Sequence, residues 1–263
     1  MTTSINVWNL INSIRSVNKW EESINANIGG ATRVGFKSTD VVFGGNTTSQ
    51  DKPSTNVAAG IQVAEQTVSI SHNTVNWSQG DLAQTKQARD YGIQGQGFFA
   101  LTENVPTAAA QKLYYTRDGQ FHDDGAGHLR TNNGLYVVSR ADAIAKGIYT
   151  GSAAPVGTTY DSPEYFVLAQ PSTLNDLTYS KYGSTIFENN IVESTNIFDL
   201  PSNTNDGLNN AFGTLNRTYL EASNVSLNNQ IVSLNNNKNM QQSLVKQLLV
   251  YYSNIDIGIN LIR

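Results

Sequence analysis

The sequence predicts an α+β protein: N- and C-terminal helices pair into a discontinuous coiled-coil domain, and an all-β domain is inserted between them. Two observations carry that prediction. Apolar residues at both ends of the 263-residue chain recur every 3.5 positions. The middle instead holds short apolar runs separated by turn dipeptides.

At the N-terminus Val7, Leu10, Ile14, Val17, Ile24 and Ile28 fall on a 3-4-3 spacing broken at Glu21. That is an a/d seam, and Gly29-Gly30 should end the helix. At the C-terminus Leu220, Leu227, Leu234, Leu248, Ile255 and Ile262 share one heptad position, interrupted at Gln241. Ile231, Val245, Tyr252 and Ile259 occupy the companion position, with Asn224 and Lys238 as exceptions. A 3.5-residue period held this long predicts left-handed supercoiling. One helix over 220–263 would reach ~65 Å at ~1.5 Å per residue, more than the N-terminal helix can cover. The uncovered remainder is expected to meet other subunits; an intramolecular pair with a frayed end is the alternative.

Between the helices Tyr91–Ile93, Phe98–Leu101, Leu113–Tyr115, Tyr136–Val138 and Tyr165–Leu168 read as strands. Asp118-Gly119, Asp124-Gly125 and Asn133-Gly134 are the turn signals. Ile61–Val63 and Val68–Ile70 are shorter alternating runs, and 201–213 reads as a returning loop. The domains are therefore 1–30 with 217–263 (helical assembly domain), 31–85 (extended or β linker region) and 86–216 (β-rich domain).

Composition excludes several functions. Charged residues make up 14% and the net charge is −4, without the clustered cations that nucleic acid requires. No cysteine is present, which removes disulfides, thiolate chemistry and Cys-based zinc sites. No apolar run approaches the ~20 residues of a membrane span, and the first twenty residues do not read as a cleavable leader. Gly95-Gln-Gly97-Phe-Phe-Ala100 superficially fits a dinucleotide fingerprint, but that motif needs a following helix and Phe98-Phe99 predicts strand. His122, Asp123, Asp124 and His128 read as a solvated hairpin rather than metal ligands. No catalytic, cofactor-binding or metal site is expected, and the chain does not read as an enzyme.

Four phrases together resemble the bacterial flagellar rod and hook family, the axial proteins of the flagellum. Asn27-Ile-Gly-Gly-Ala-Thr-Arg-Val-Gly35-Phe36-Lys37 is similar to the family's Asn-Leu-Ala-Asn-x-x-Thr-x-Gly-Phe-Lys. Asp90-Tyr-Gly-Ile-Gln-Gly95-Gln-Gly97-Phe98-Phe99-Ala100 resembles Asp-x-Ala-Ile-x-Gly-x-Gly-Phe-Phe. Tyr115-Thr116-Arg117-Asp-Gly119-Gln-Phe121 resembles Tyr-Thr-Arg-x-Gly-x-Phe, and Tyr219-Leu220-Glu221-Ala-Ser223-Asn224-Val225 resembles Leu-Glu-x-Ser-Asn-Val. Their order along the chain and the flanking heptads make the likeness specific. Departures occur at Gly29, Gly30 and Arg33, and at Asn237-Lys-Asn-Met240 in place of Gln-Arg-x-Tyr. The length fits a rod protein or a short hook-like protein.

The resemblance implies a structural subunit, exported unfolded through the flagellar type III apparatus and polymerised helically into a hollow filament. The terminal helices would line its inner wall and the β domain would lie outside. Implied partners are further copies of the chain, neighbouring axial proteins and the export apparatus, with no nucleic acid and no membrane insertion. The implied location is the flagellar basal body or hook, periplasmic or extracellular after export. The alternative reading is a surface adhesin or accessory filament protein that binds through its β domain. From the residues alone, Gly92, Gly95 and Gly97 suit positive φ or close backbone approach. Phe98 and Phe99 should point to opposite faces of a sheet, and Ser223 or Asn224 is a candidate cap for the last helix.

Overall fold

The computed structural model describes residues 3–45, 49–50, 62–63, 67–106, 112–151, 153, 158–159, 161–171, 173–189, 197–202 and 212–262. In chain order the elements begin with α1 (Thr3–Gly30), β1 (Thr39–Gly45), β2 (Ser49–Gln50), β3 (Gln62–Val63), β4 (Val68–Val75) and β5 (Leu82–Gln84). They continue with β6 (Tyr91–Gln94), β7 (Phe98–Thr102), β8 (Tyr114–Thr116), β9 (Phe121–Asp123), β10 (Leu129–Thr131) and β11 (Tyr136–Val137). After a short helix α2 (Arg140–Ala145) come β12 (Leu168–Gln170), β13 (Leu177–Ser180), β14 (Gly183–Asn189) and β15 (Ile197–Asp199). Strands β16 (Thr214–Arg217) and β17 (Tyr219–Glu221) precede the long helix α3 (Leu227–Ile262). Ile61 and residues 203–211 of the expected returning loop lie outside the described residues.

The chain divides into two compact units. Residues 1–29, 39–76 and 226–263 form the first, and 30–38 with 77–225 the second. These boundaries differ from those read from sequence. The expected linker 31–85 is shared out: β1 and β4 form an antiparallel hairpin in the first unit, whereas 30–38 and 77–85 belong to the second. Residues 217–225, expected with the last helix, also lie in the second unit, because β17 pairs with β5.

In the first unit α1 buries Ser13, Val17, Ile24 and Asn27. The hairpin is tied to α1 by side-chain clasps. Asn27 Oδ1 accepts the Thr39 N–H at 2.8 Å and its Nδ2 donates to the Thr39 carbonyl at 2.9 Å. Ser13 Oγ accepts the Val68 N–H at 3.0 Å, and Trp20 meets Phe43 edge-on with ring centroids 5.2 Å apart. Helix α3 begins at Leu227, not at Leu220 as the heptads suggested, because Leu220 and Glu221 are drawn into strand pairing and burial. Its 36 residues still span ~54 Å at ~1.5 Å per residue.

In the second unit the main sheet runs β13-β14-β8-β7-β11-β10-β9 among the described residues. One edge of β7 pairs with β8; the other pairs with β11 and, through Phe98 and Phe99, with β12. Both faces are covered. Phe99, Leu101, Tyr114, Val137, Leu168 and Ile186 enter one core, while Phe98, Ala100, Tyr115, Val138, Ala169 and Phe187 enter the other. Side chains alternate along a strand, so burial on both faces explains the unbroken run Phe-Phe-Ala-Leu. Trp77 stands edge-on to Phe98 and Phe187 in the second core. Tyr165, expected to open a strand, ends a short 3-10 turn over Pro163–Tyr165, and the strand starts at Leu168. Helix α2 was absent from the sequence reading. Its signal is the capping box of Ser139 and Asp142.

Thr218, between β16 and β17, has φ 63°. A β-branched residue is strained there, and the kink lets the chain pass from pairing with β6 to pairing with β5. Thr218→Gly should raise the thermal midpoint by about 1–3 °C, the relief of strain being partly offset by the entropy of glycine. Calorimetry checks this, and a lower midpoint would contradict the strain assignment.

Candidate assembly surface and the buried motif cluster

The second unit buries a carboxylate, Glu221 on β17. Its side chain is fully buried, and so is that of Lys37. Lys37 Nζ lies 2.5 Å from Glu221 Oε1, which also accepts the Gly80 N–H at 3.0 Å. Arg117 Nη1 donates to Glu221 Oε2 at 3.1 Å. The second cation is held by carbonyls as well: Arg117 Nη2 donates to Gly95 O at 2.7 Å, and its guanidinium stands 5.1 Å from the Phe98 ring centre. Lys37 Nζ donates further to Ser78 O at 2.7 Å. Burial lowers the pKa of Lys37 and of Arg117, against the opposing pull of Glu221.

Backbone contacts surround these charges. The Gly35 N–H donates to Glu221 O at 2.7 Å. Gly35 has φ +67°, and a Cβ there would fall 2.5 Å from the Asp118 nitrogen, so only glycine fits. Asn224 Oδ1 accepts the Ser38 N–H at 2.7 Å and Asn224 Nδ2 donates to Ser78 O at 3.0 Å. Asn224 is therefore a bridge, and Ser223 Oγ accepts the Val225 N–H in a turn that precedes α3, so the expected capping of the last helix by Ser223 or Asn224 is not met at its start, Leu227. The Gly119 carbonyl accepts from Tyr91 N–H at 3.1 Å, and Thr116 Oγ1 donates to Thr185 O at 2.7 Å. Phe36 is buried with its ring where a side chain at Gly30 would lie. Gly95 and Gly97 form the turn from β6 to β7, both at positive φ. Thus residues of all four phrases converge in this unit, with Asn27 alone acting in the first unit. Sequence reading missed Ser78 and Gly80, which contribute through a backbone carbonyl and a backbone N–H and so carry no recognisable pattern.

The expected assembly residues are placed as follows. On α1, Val17 and Ile24 are buried, and Val7, Leu10, Ile14 and Ile28 are half-buried. On α3, Leu234 and Leu248 are half-buried, and the side chain of Ile262 is outside the described residues. Leu227, Ile231, Val245, Tyr252, Ile255 and Ile259 are exposed. The face of α3 covered within the unit carries Gln230, Leu234, Asn237, Gln241, Leu244 and Leu248. That row is also a 4-3-4-3-4 seam, with its companion position one residue before the one read from sequence. Counting apolar residues selected 231, 245, 252 and 259 because Gln230 and Asn237 are polar. Exposed Val232, Leu249, Val250, Ile257 and Leu261 add to the uncovered apolar surface.

No group of metal-ligating side chains occurs among the described residues. The Gly95–Ala100 string runs into strand β7, without the helix a dinucleotide needs.

A model of the flagellar hook protein FlgE/F/G D1 domain matches residues 92–160. The flagellar basal-body rod protein FlgG of Buchnera aphidicola subsp. Schizaphis graminum is 27% identical over 80% of this chain and 82% of its own length. FlgG of Buchnera aphidicola subsp. Acyrthosiphon pisum is 26% identical over 68% of this chain and 67% of its own length. The chain is similar to flagellar rod and hook proteins, and residues 92–160 carry the likeness to their D1 domain. The flagellar hook protein FlgE of Caulobacter vibrioides is 33% identical over 44% of this chain but only 18% of its own length. The matched D1 segment includes β6 from Gly92, β7 and Arg117, one of the two cations that hold Glu221.

Replacing Glu221→Gln strands two buried cations and should cost about 3–5 kcal/mol. Lys37→Met leaves the Arg117–Glu221 pair and should cost less; urea unfolding of both variants checks the order. Asp118, lining a polar cleft of about 360 Å³ with Arg33 and Gln120, is raised by burial from 3.8 to about 6. The fold holds that proton more tightly than the unfolded chain, so the contribution of Asp118 to stability is fully present below about pH 4 and is lost through pH 4 to 6. Asp118→Asn should flatten that decline in melting temperature measured against pH.

Proposed function

We propose that this chain is a structural, non-catalytic subunit of the flagellar axial structure, at the basal-body rod or hook, which polymerises helically through its terminal helices. The supporting observation is α3. Beyond the face covered within its own unit, the helix carries Leu227, Ile231, Val245, Leu249, Tyr252 and Ile259 on one exposed row. Val232, Val250, Ile257 and Leu261 form a second row roughly 140° further round, at ~100° per residue. Apolar rows left outside the covered face are rows that neighbours can bury. Each such side chain gains about 1.5–3 kcal/mol when fully covered. Two separate rows call for two neighbours, the arrangement a helical lattice supplies and a closed dimer does not. No described helix is long and apolar enough to cross a membrane.

The relatives are named as rod and hook proteins. On that basis the partners are further copies and adjacent axial proteins, and the route is unfolded export through the flagellar apparatus. The double variant Val250→Lys with Ile257→Lys alters only the second exposed row. Sedimentation should show loss of polymer while the aromatic near-UV signal of the second unit is retained. Undiminished polymerisation by that variant would sink the proposed role of this row.

A further inference from the structure

Where α1 and α3 meet in the first unit, polar side chains cross the apolar seam. Asn27 Nδ2 donates to Gln230 Oε1 at 3.4 Å, and Asn237 Nδ2 donates to the Val17 carbonyl at 2.7 Å. Gln241 Nε2 donates to Asn18 Oδ1 at 3.1 Å and to Glu21 Oε2 at 2.8 Å. Descending α1 from 27 to 18 climbs α3 from 230 to 241, so the two helices are antiparallel. The outer rungs are within reach of solvent. Asn237 is not: it is fully buried, and its Oδ1 has no hydrogen-bond partner among the described residues.

An orphaned buried carbonyl oxygen costs free energy. A leucine in the same place would remove that cost and bury more apolar surface, as Leu234, Leu244 and Leu248 do along the same row. Stability therefore does not explain the asparagine. Register does. A slide of one heptad moves the amide from Val17 to the level of Leu10 or Ile24, separates Gln241 from Asn18 and Glu21, and separates Gln230 from Asn27. All rungs fail together. The apolar residues alone discriminate poorly, because heptad seams look alike to one another.

We propose that Asn237 is the specificity-determining residue of the helical unit. It fixes the register and antiparallel orientation of α3 on α1, at a cost in stability, and disfavours other pairings of the same seam, including α3 with α3 of a second copy. This is independent of whether the exposed rows of α3 go on to build a filament.

The absence of cysteine allows a direct test in the full chain. Lys19 and Lys238 are both exposed. Cysteines placed there (K19C with K238C) carry spin labels for a distance measurement at concentrations below assembly. With Asn237 in place a single narrow distance is expected. Adding Asn237→Leu should raise the thermal midpoint by about 2–4 °C and produce a second distance population displaced by up to about 10 Å, one heptad of rise. A single unchanged distance in the leucine variant would overturn the proposal. So would a lowered midpoint or a failure to fold, either of which would make Asn237 a net stabiliser.

Discussion

A carboxylate removed from water must be met by cations and hydrogen-bond donors, and Glu221 is met by Lys37, Arg117 and the Gly80 N–H. The local geometry of the second unit follows from that requirement. Lys37 must approach from the segment after α1, which needs the tight turn at Gly35. Arg117 must extend beneath the β6–β7 turn, where Ile93 and Gly95 offer carbonyls. Asn224 then ties residue 38 to residue 78. Residues 35–38, 78–80 and 221–224 flank the positions where the chain passes from one unit to the other, and inside the second unit they are held together around one charge.

The first unit is built on the opposite principle. Most of its fixed points are neutral pairs: Asn27 on Thr39, Ser13 on Val68, Asn237 on Val17. These bonds direct rather than drive, since a typical net hydrogen bond contributes only about 0.5–1.5 kcal/mol. The driving force available to α3 is mostly unspent within one chain, because much of its apolar surface faces outward. A rigid, charge-locked β unit and an apolar helix in want of neighbours suit a subunit that assembles, which is the function proposed.

Much of this was legible in the sequence. The heptads located both helices, and each of the four phrases contains residues of the second unit, with Asn27 in the first. Phe98-Phe99 announced a strand buried on both faces. What stayed hidden has physical causes. The covered face of α3 includes Asn237 and Gln241, so apolarity pointed one residue away from it. Leu220 sits in phase with the helix but is held in a strand by a buried ion pair whose partners lie 184 and 104 residues distant. The pairing of β1 with β4 reads as linker because residues 46–67 separate the two strands along the chain, and its anchors are single side chains on α1. Helix α2 is too brief to show a period at all.

Imaging the intact, purified chain by electron microscopy across a concentration series tests the assembly account most directly. The account predicts a critical concentration above which helical tubes of uniform width appear. A monomer or a small closed oligomer at every concentration, with the helices folded, would contradict it.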